Sequence, residues 1–523
     1  MPPQLTSDYE PVTPLRRAPA HAGGADWADA PAPHADPDAG GDARVSNARP
    51  APPRGAAAAK AAPKARKPWL ERWGTRRGHL LAYAGLFLFT VILYYRPYEQ
   101  ISFLSSFTSM AFWAGVATLL AFFPTQLSLE GTLTARPREV NLLLLLVLTA
   151  LLSVPLALDP GEALATFNDP FLKAVLMFLV IVNAVRTMRR LRWLLLLGVS
   201  VGCLLSAWAI DDYRRGLFTV EGYRVTGSIG NLFGNPNDMA IHLITMIPIV
   251  VAFMFGARGV RKLFYACCLF LLMGGMMVTF SRGGFLGLAG ASVVMAWKLG
   301  RRNRFAVLAL MLAAVVLMML FAPGGYSRRL LSIIDPSLDP VGSSSARQQL
   351  LLLSVKASLL NPLFGLGMGN FHIISIREAV THNSYTQVAA EMGWAALAFY
   401  VLFIVTPLRR LKRIELATLE SRRASNFYYL AVGLQASLVA YMIGSFFGSI
   451  AYQWYVYYLV GFAVALRRLY ATTGEVKGVG AEALKRELGA EAAPEGGDEP
   501  PGGKPAADGW VLYDARSARV VAE

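Results

Sequence analysis

The sequence predicts an all-α polytopic membrane protein of about twelve spans, with a long loop outside the cytoplasm before the tenth. Two observations carry this reading. Hydrophobic residues make up 54% of the chain and charged residues 16%, and the apolar ones fall in long blocks such as LLAYAGLFLFTVILYY and NLLLLLVLTALLSVPLAL. Blocks near twenty residues cross a hydrocarbon core of roughly 30 Å as helices. Basic residues gather in short clusters between alternate blocks, the pattern that orients successive helices. Those clusters account for the formal net charge of +16, so nucleic acid is not an implied partner. Cys203, Cys267 and Cys268 lie inside apolar blocks and predict neither a disulfide framework nor a thiolate metal site.

Residues 1–66 are rich in Ala, Pro, Gly and Asp with few large aliphatics. Such a segment buries too little surface to fold, so a disordered cytoplasmic tail is expected. No apolar stretch follows Met1, and the first span is expected to direct insertion in place of a cleaved leader. The transmembrane domain then occupies residues 67–471, with spans expected near 79–95, 106–124, 140–158, 170–185, 193–210, 237–256, 263–280, 284–299, 305–322, 384–408, 427–446 and 449–466. The fourth and eighth are short, as tilted or partly re-entrant segments would be. Residues 472–523 return to Gly, Ala, Glu and Pro, a second expected cytoplasmic tail with room for a short helix.

With a cytoplasmic N-terminus every inner loop is basic: Arg136 and Arg138; Arg186, Arg189, Arg190 and Arg192; Arg258, Arg261 and Lys262; Lys298 to Arg304; Arg409 to Arg423; Arg467 and Arg468. The outer loops include the acidic LDPGEALATFNDP and the uncharged GSFFGSIAY. One alternation fits the whole chain, and both termini are expected inside.

The basic residues left outside are therefore the informative ones. They are Arg96, then Arg214, Arg215 and Arg224 in the loop 211–236, Arg282 in the short turn TFSRGGFLGL, and those of the loop 323–383. Arginine near bilayer depth costs about 2.5–3.5 kcal/mol on insertion scales and so marks a pairing or a site; its alternative at Arg282 is snorkelling to headgroups. In the first loop GNPND, with Asn235 and Asn237, supplies turn and helix-capping chemistry. In the second, SSSARQQLLLLSVKASLL reads as a helix lying along the membrane surface, and NPLFGLGMGNF as a glycine-rich turn suited to close backbone approach. The loop ends in THNSY, where His382, one of six histidines in 523 residues, stands before an apolar run with Asn383 and Tyr385. Taken alone, His382 also fits an interfacial residue that only helps Asn383 cap the helix.

RVTGSIGNLFGNPNDMA, FSRGGFLGL, the Arg347 segment running into NPLFGLGMGNF, and HNSYTQVAAEMG occur in that order. Together they resemble the O-antigen ligase and polymerase family of bacterial cell-surface polysaccharide synthesis, over roughly residues 79–468. The resemblance implies a multi-span glycosyltransferase fold in the inner membrane, with its site on the periplasmic face. It implies an undecaprenyl-pyrophosphate-linked glycan donor and an acceptor that is either a second lipid-linked chain or the lipid A core. Membrane lipids and other polysaccharide-assembly proteins would be its partners.

Displacing a polyprenyl pyrophosphate from an anomeric carbon requires charge stabilisation on the leaving phosphate and removal of a proton from the attacking hydroxyl. Guanidinium groups suit the first task, and Arg282 and Arg347 match the family's two functional arginine positions, with Arg224 a third candidate. An imidazole suits the second, and the resemblance carries the base role to His382. No cofactor is implied. Asp211, Asp212, Asp335 and Asp339 offer carboxylates for a divalent cation, but without histidines at ligand spacing, and the resemblance implies a metal-independent reaction. GLGMGN lacks the strand and helix context of a nucleotide-binding loop.

A flippase for lipid-linked sugars is the main alternative, with an export-complex scaffold third. Transporters place ionisable groups near the midplane and carry internal repeats. Here the spans read as almost free of charge beyond Lys173 and His242 near span edges, with no repeat. The unusual residues gather on one face, as an enzyme acting on an external glycan requires. Nothing visible indicates lipid A core recognition, which favours polymerase over ligase.

Overall fold

The computed structural model describes residues 78–472 apart from 108, 227–232, 302–304, 306–308, 310–323, 333–334, 336–342, 423–424 and 426. Both expected tails, Asp339 and almost all of the expected ninth span lie outside the described residues. Secondary structure among the described residues is helical, apart from one isolated bridge between Val220 and Arg224.

Helices meet the other eleven expected spans: α1 (Leu80–Tyr95), α2 (Met110–Glu130), α3 (Arg138–Ser153), α4 (Lys173–Ala184), α5 (Met188–Arg214), α6 (Pro236–Gly256), α7 (Val260–Val278) and α8 (Arg282–Leu299), then, after α9 (Ser343–Leu360) in the long loop, α10 (Ser384–Ala417), α11 (Tyr428–Gly444) and α12 (Trp454–Thr472). Nine helical segments among the described residues are long and apolar enough to cross a membrane. Glycine-rich α8 and tyrosine-rich α12 are not in that set, although both pack inside the bundle. The fourth span is not short: α4 is led in by Pro160–Thr166 and Phe167–Leu172, giving 25 helical residues with a break at Asp169. Pro160, Pro170 and the polar run between them hid that lead-in.

Helices α6 and α11 form the buried centre, with α7, α8 and α10 packed around them and α2 and α7 facing outward. One end of the bundle carries the basic clusters, and there buried carboxylates tie helices together. Glu139 in the first turn of α3 accepts from Arg467 of α12 (2.9 Å) and from Arg410 of α10 (3.5 Å). Glu415 takes Lys298 and Arg301 from α8 and its C-terminal turn, and Glu130 takes Arg186. The arginines of the basic clusters therefore also tie the spans to one another.

The other end carries the long loop. Its turn Pro362–Gly369 inserts against a break in α10 at Gly393, where φ is 86°. Leu366 N–H donates to Ala390 O (2.8 Å), Gly367 N–H to Glu391 O (3.0 Å) and Trp394 N–H to Pro362 O (2.9 Å). The close approach expected of this turn is thus to the helix backbone. A Cβ on Gly365 would collide with the carbonyl carbon of Glu391, and one on Gly393 with Leu363 O. The near absence of charge in the spans is corrected at Glu391, a buried carboxylate of α10 that accepts from Tyr452 Oη (2.6 Å) and Gly369 N–H (2.9 Å). His242 lies deep in α6 and contacts Gly198 O (3.0 Å).

Candidate active site

Two helix starts meet at the long-loop end. A three-residue turn separates α7 from α8, and Ser281 caps α8, accepting from Gly284 N–H (3.2 Å) and donating to Asn237 Oδ1 (2.9 Å). Arg282 is the first residue of α8. The second residue must be glycine, because a Cβ on Gly283 would lie 2.6 Å from Phe447 Cβ. Asn383 caps α10, its Oδ1 accepting from Tyr385 N–H (2.9 Å) and Thr386 N–H (3.1 Å). His382 precedes it with φ 53°, a left-handed conformation that costs a non-glycine residue on the order of 1–3 kcal/mol unless its surroundings hold it. The holding group is Ser449 between α11 and α12, whose Oγ accepts from His382 N–H (2.8 Å) and hydrogen-bonds Thr381 Oγ1 (2.8 Å).

Arg282, Arg347 and His382, from three separate segments, line one cavity of ≈ 220 Å³ together with Asn383, Ser332 and Gln348, walled by Phe446 and Phe447. Arg282 Nη1 donates to Ser332 Oγ (3.0 Å). No carboxylate is among the described lining residues. Two guanidiniums and two helix N-termini thus place positive potential around a small, half-enclosed space, an arrangement suited to phosphate. Burial, and then the charge of Arg347, pull the His382 imidazole from 6.5 down to about 4. At neutral pH the ring is uncharged and able to accept a proton.

The remaining predicted residues stand around this cavity rather than in its wall. Arg224 is buried, with Nε donating to Thr279 O (2.9 Å) and Nη2 to Asn237 Oδ1 (2.9 Å). Burial pulls its guanidinium down to about 10, with Glu221 opposing that shift. Asn237 joins Arg224 to Ser281, and Asn235 caps α6 by accepting from Asn237 N–H (2.9 Å). Tyr385 reaches Met442 O on α11 (2.9 Å). Asp211 pairs with Arg215 (2.8 Å), away from any histidine pairing.

Ser332, Ser449 and Arg329 were not legible in the sequence. Arg329 is buried over the Tyr223 ring and pairs with Glu221 (3.1 Å), the carboxylate that also faces Arg224. This cluster ties the loop 211–236 to the long one. Nothing in GSFFGSIAY marks Ser449, since its role depends on a tertiary contact to the His382 backbone.

A second cavity, ≈ 510 Å³, opens at the same end and shares Ser449 as a neighbour of the first. Trp454, Tyr455 and Tyr98 line it with Asp238, Gln453 and Lys173, a mixture of flat apolar faces and hydrogen-bonding groups. Phe446 and Phe447 face one cavity, and Ile450 and Gln453 the other, so the α11–α12 connection is the wall between them.

Residues 267–401, from the middle of α7 into α10, match the family model described as O-antigen ligase. The matched stretch contains Arg282, Arg347, His382 and Asn383. No curated protein matches the chain at a significant level.

Proposed function

With residues 267–401 carrying the O-antigen ligase family domain, we propose that this multi-pass membrane protein transfers a glycan from an undecaprenyl pyrophosphate carrier to an acceptor sugar on the periplasmic face of the bacterial inner membrane. The observation that carries the reading is the convergence of Arg282, Arg347 and His382 on one cavity that no described carboxylate lines. The donor pyrophosphate sits between the two guanidiniums and the N-termini of α8 and α10. The acceptor hydroxyl attacks the anomeric carbon and its proton passes to His382. The bond from that carbon to the phosphate oxygen breaks, and the lipid pyrophosphate leaves with its negative charge met by Arg282 and Arg347. Arg224, Asn235, Asn237 and Tyr385 position the segments that present these groups. The aromatic and polar lining of the larger cavity suits the acceptor glycan, and the basic clusters at the far end favour both termini in the cytoplasm.

Polymerisation of a surface or secreted polysaccharide is the leading form of the reaction. Ligation of a finished chain to the lipid A core is the second reading, favoured by the description of the matched family. Deleting the gene and resolving surface glycans on a gel separates them. A single capped repeat unit identifies the polymerase; a bare core with accumulating lipid-linked polymer identifies the ligase. An unchanged glycan pattern in the deletion strain overturns both.

A further inference from the structure

The end opposite the candidate active site holds a feature that glycan transfer does not use. Helix α6 runs about 30 Å at 1.5 Å per residue from Asn237 to Gly256, and beside its far terminus lies a cavity of ≈ 460 Å³. Four arginines from three connections and helix starts face it: Arg192 in α5, Arg258 before α7, Arg261 in its first turn, and Arg422 between α10 and α11. No acidic side chain is among its described lining residues. Positive-inside orientation asks only for basic residues in a loop. It does not ask that arginines distant in sequence converge on one hollow.

The hollow also continues into a second one. Leu196 and Tyr265 line both it and an adjoining cavity of ≈ 620 Å³ between α5 and α7. That second cavity is walled mainly by apolar and aromatic side chains, Phe87, Trp193, Leu197 and Phe264 among them, with no charged residue among its described lining residues. Trp193 and Phe264 are more than half exposed, so the groove is open along its length. A charged mouth that takes phosphate, joined to an apolar groove along two helices, is complementary to an amphiphile with an anionic head. Inorganic phosphate or a nucleotide would leave the apolar half without a ligand.

We propose that this paired cavity binds an anionic glycerophospholipid, its phosphate among Arg192, Arg258, Arg261 and Arg422 and its acyl chains along α5 and α7. Basic pockets between membrane helices hold such headgroups through charge and forked hydrogen bonds. The site joins the α5–α6–α7 group to the α10–α11 connection, so an occupied site braces the helices whose other ends carry Arg224, Asn237 and Arg282.

The test uses the purified full chain in neutral detergent, titrated with long-chain phosphatidylglycerol, long-chain phosphatidylcholine, dihexanoyl phosphatidylglycerol and inorganic phosphate, and read by native mass spectrometry and thermal melting. Phosphatidylglycerol is expected to remain bound and raise the melting temperature. Phosphatidylcholine should do neither, and the short-chain lipid should bind more weakly. R258Q/R261Q should weaken phosphatidylglycerol binding about fivefold per arginine, with lipid-free melting unchanged. Equal retention of phosphatidylcholine overturns the proposal, as does displacement of long-chain phosphatidylglycerol by inorganic phosphate or undiminished binding to the double variant. If that variant fails to fold, the headgroup and chain-length series on the unaltered protein decides the question.

Discussion

At the scale of single residues, the proposed proton acceptor has a distinctive signature. His382 is held with φ 53° by Ser449, lines a cavity with two arginines, and titrates near 4 rather than 6.5. A base works only in its neutral form, so kcat/KM should fall as pH drops through about 4 and stay level across the ordinary imidazole range. Arg347→Gln removes the smaller of the two causes of that shift. Its acid limb should therefore move upward toward 6.5 while the rate at neutral pH falls. His382→Ala should lower transfer by about 10²–10⁴-fold, measured with lipid-linked donor in detergent, and full activity in that variant would end the base assignment. Asn383 has two separable parts. Its Oδ1 caps α10, while its Nδ2 is buried in the cavity wall without a hydrogen-bond partner among the described residues. Asn383→Asp keeps the acceptor and loses the donor, so melting should hold while transfer falls. Asn383→Ala should lose the cap as well, at about 1 kcal/mol of stability.

At the scale of elements, the parts legible in the sequence were those governed by local chemistry. Apolar length found α1 to α3, and cap residues found the starts of α6 at Asn235 and α10 at Asn383. The glycines of NPLFGLGMGN marked a close approach without saying to what, because the partner, the broken turn at Gly393, lies about thirty residues on and reads as ordinary helix. Glu391 was hidden for the same reason, since its partners Tyr452 and Gly369 come from elements distant in sequence. Arg282, Arg347 and His382 were legible as a set through the order of their motifs, whereas the split between cavity-lining Arg347 and structural Arg224 required the fold. The helix break itself is testable. A side chain at Gly393 meets both an unfavourable φ of 86° and the backbone of Leu363 and Pro362. Gly393→Ala should cost on the order of 1–3 kcal/mol and loosen the turn that leads to His382, lowering melting temperature and transfer together. Leu402→Ala, half-exposed on the same helix, should leave both nearly unchanged.

Across the whole molecule the two ends divide the work. The long-loop end gathers the groups proposed to act on an anion, with strained backbone at His382 and a small cavity that no described carboxylate lines. The basic end gathers compensated ion pairs that hold the bundle closed. Glu139 is the clearest case, fully buried between Arg467 and Arg410 and joining α3, α10 and α12. Buried pairs of this kind add little over apolar packing when intact, yet removing one partner is costly because the other charge stays behind without water. Glu139→Gln leaves two buried guanidiniums facing a neutral amide, and the expected loss is about 3–5 kcal/mol, read as a lower midpoint in detergent unfolding. The candidate active site lies at the other end of the same helices, so transfer per folded molecule should match that of the unaltered protein. If the variant melts normally but loses transfer, the two ends are coupled and the division fails. Replacing the triad together, as E139L/R410M/R467L, should recover part of the lost stability, since the two guanidiniums that face Glu139 are removed with it. A triple variant no more stable than Glu139→Gln would mean that the arginines hold the helices through contacts beyond this carboxylate.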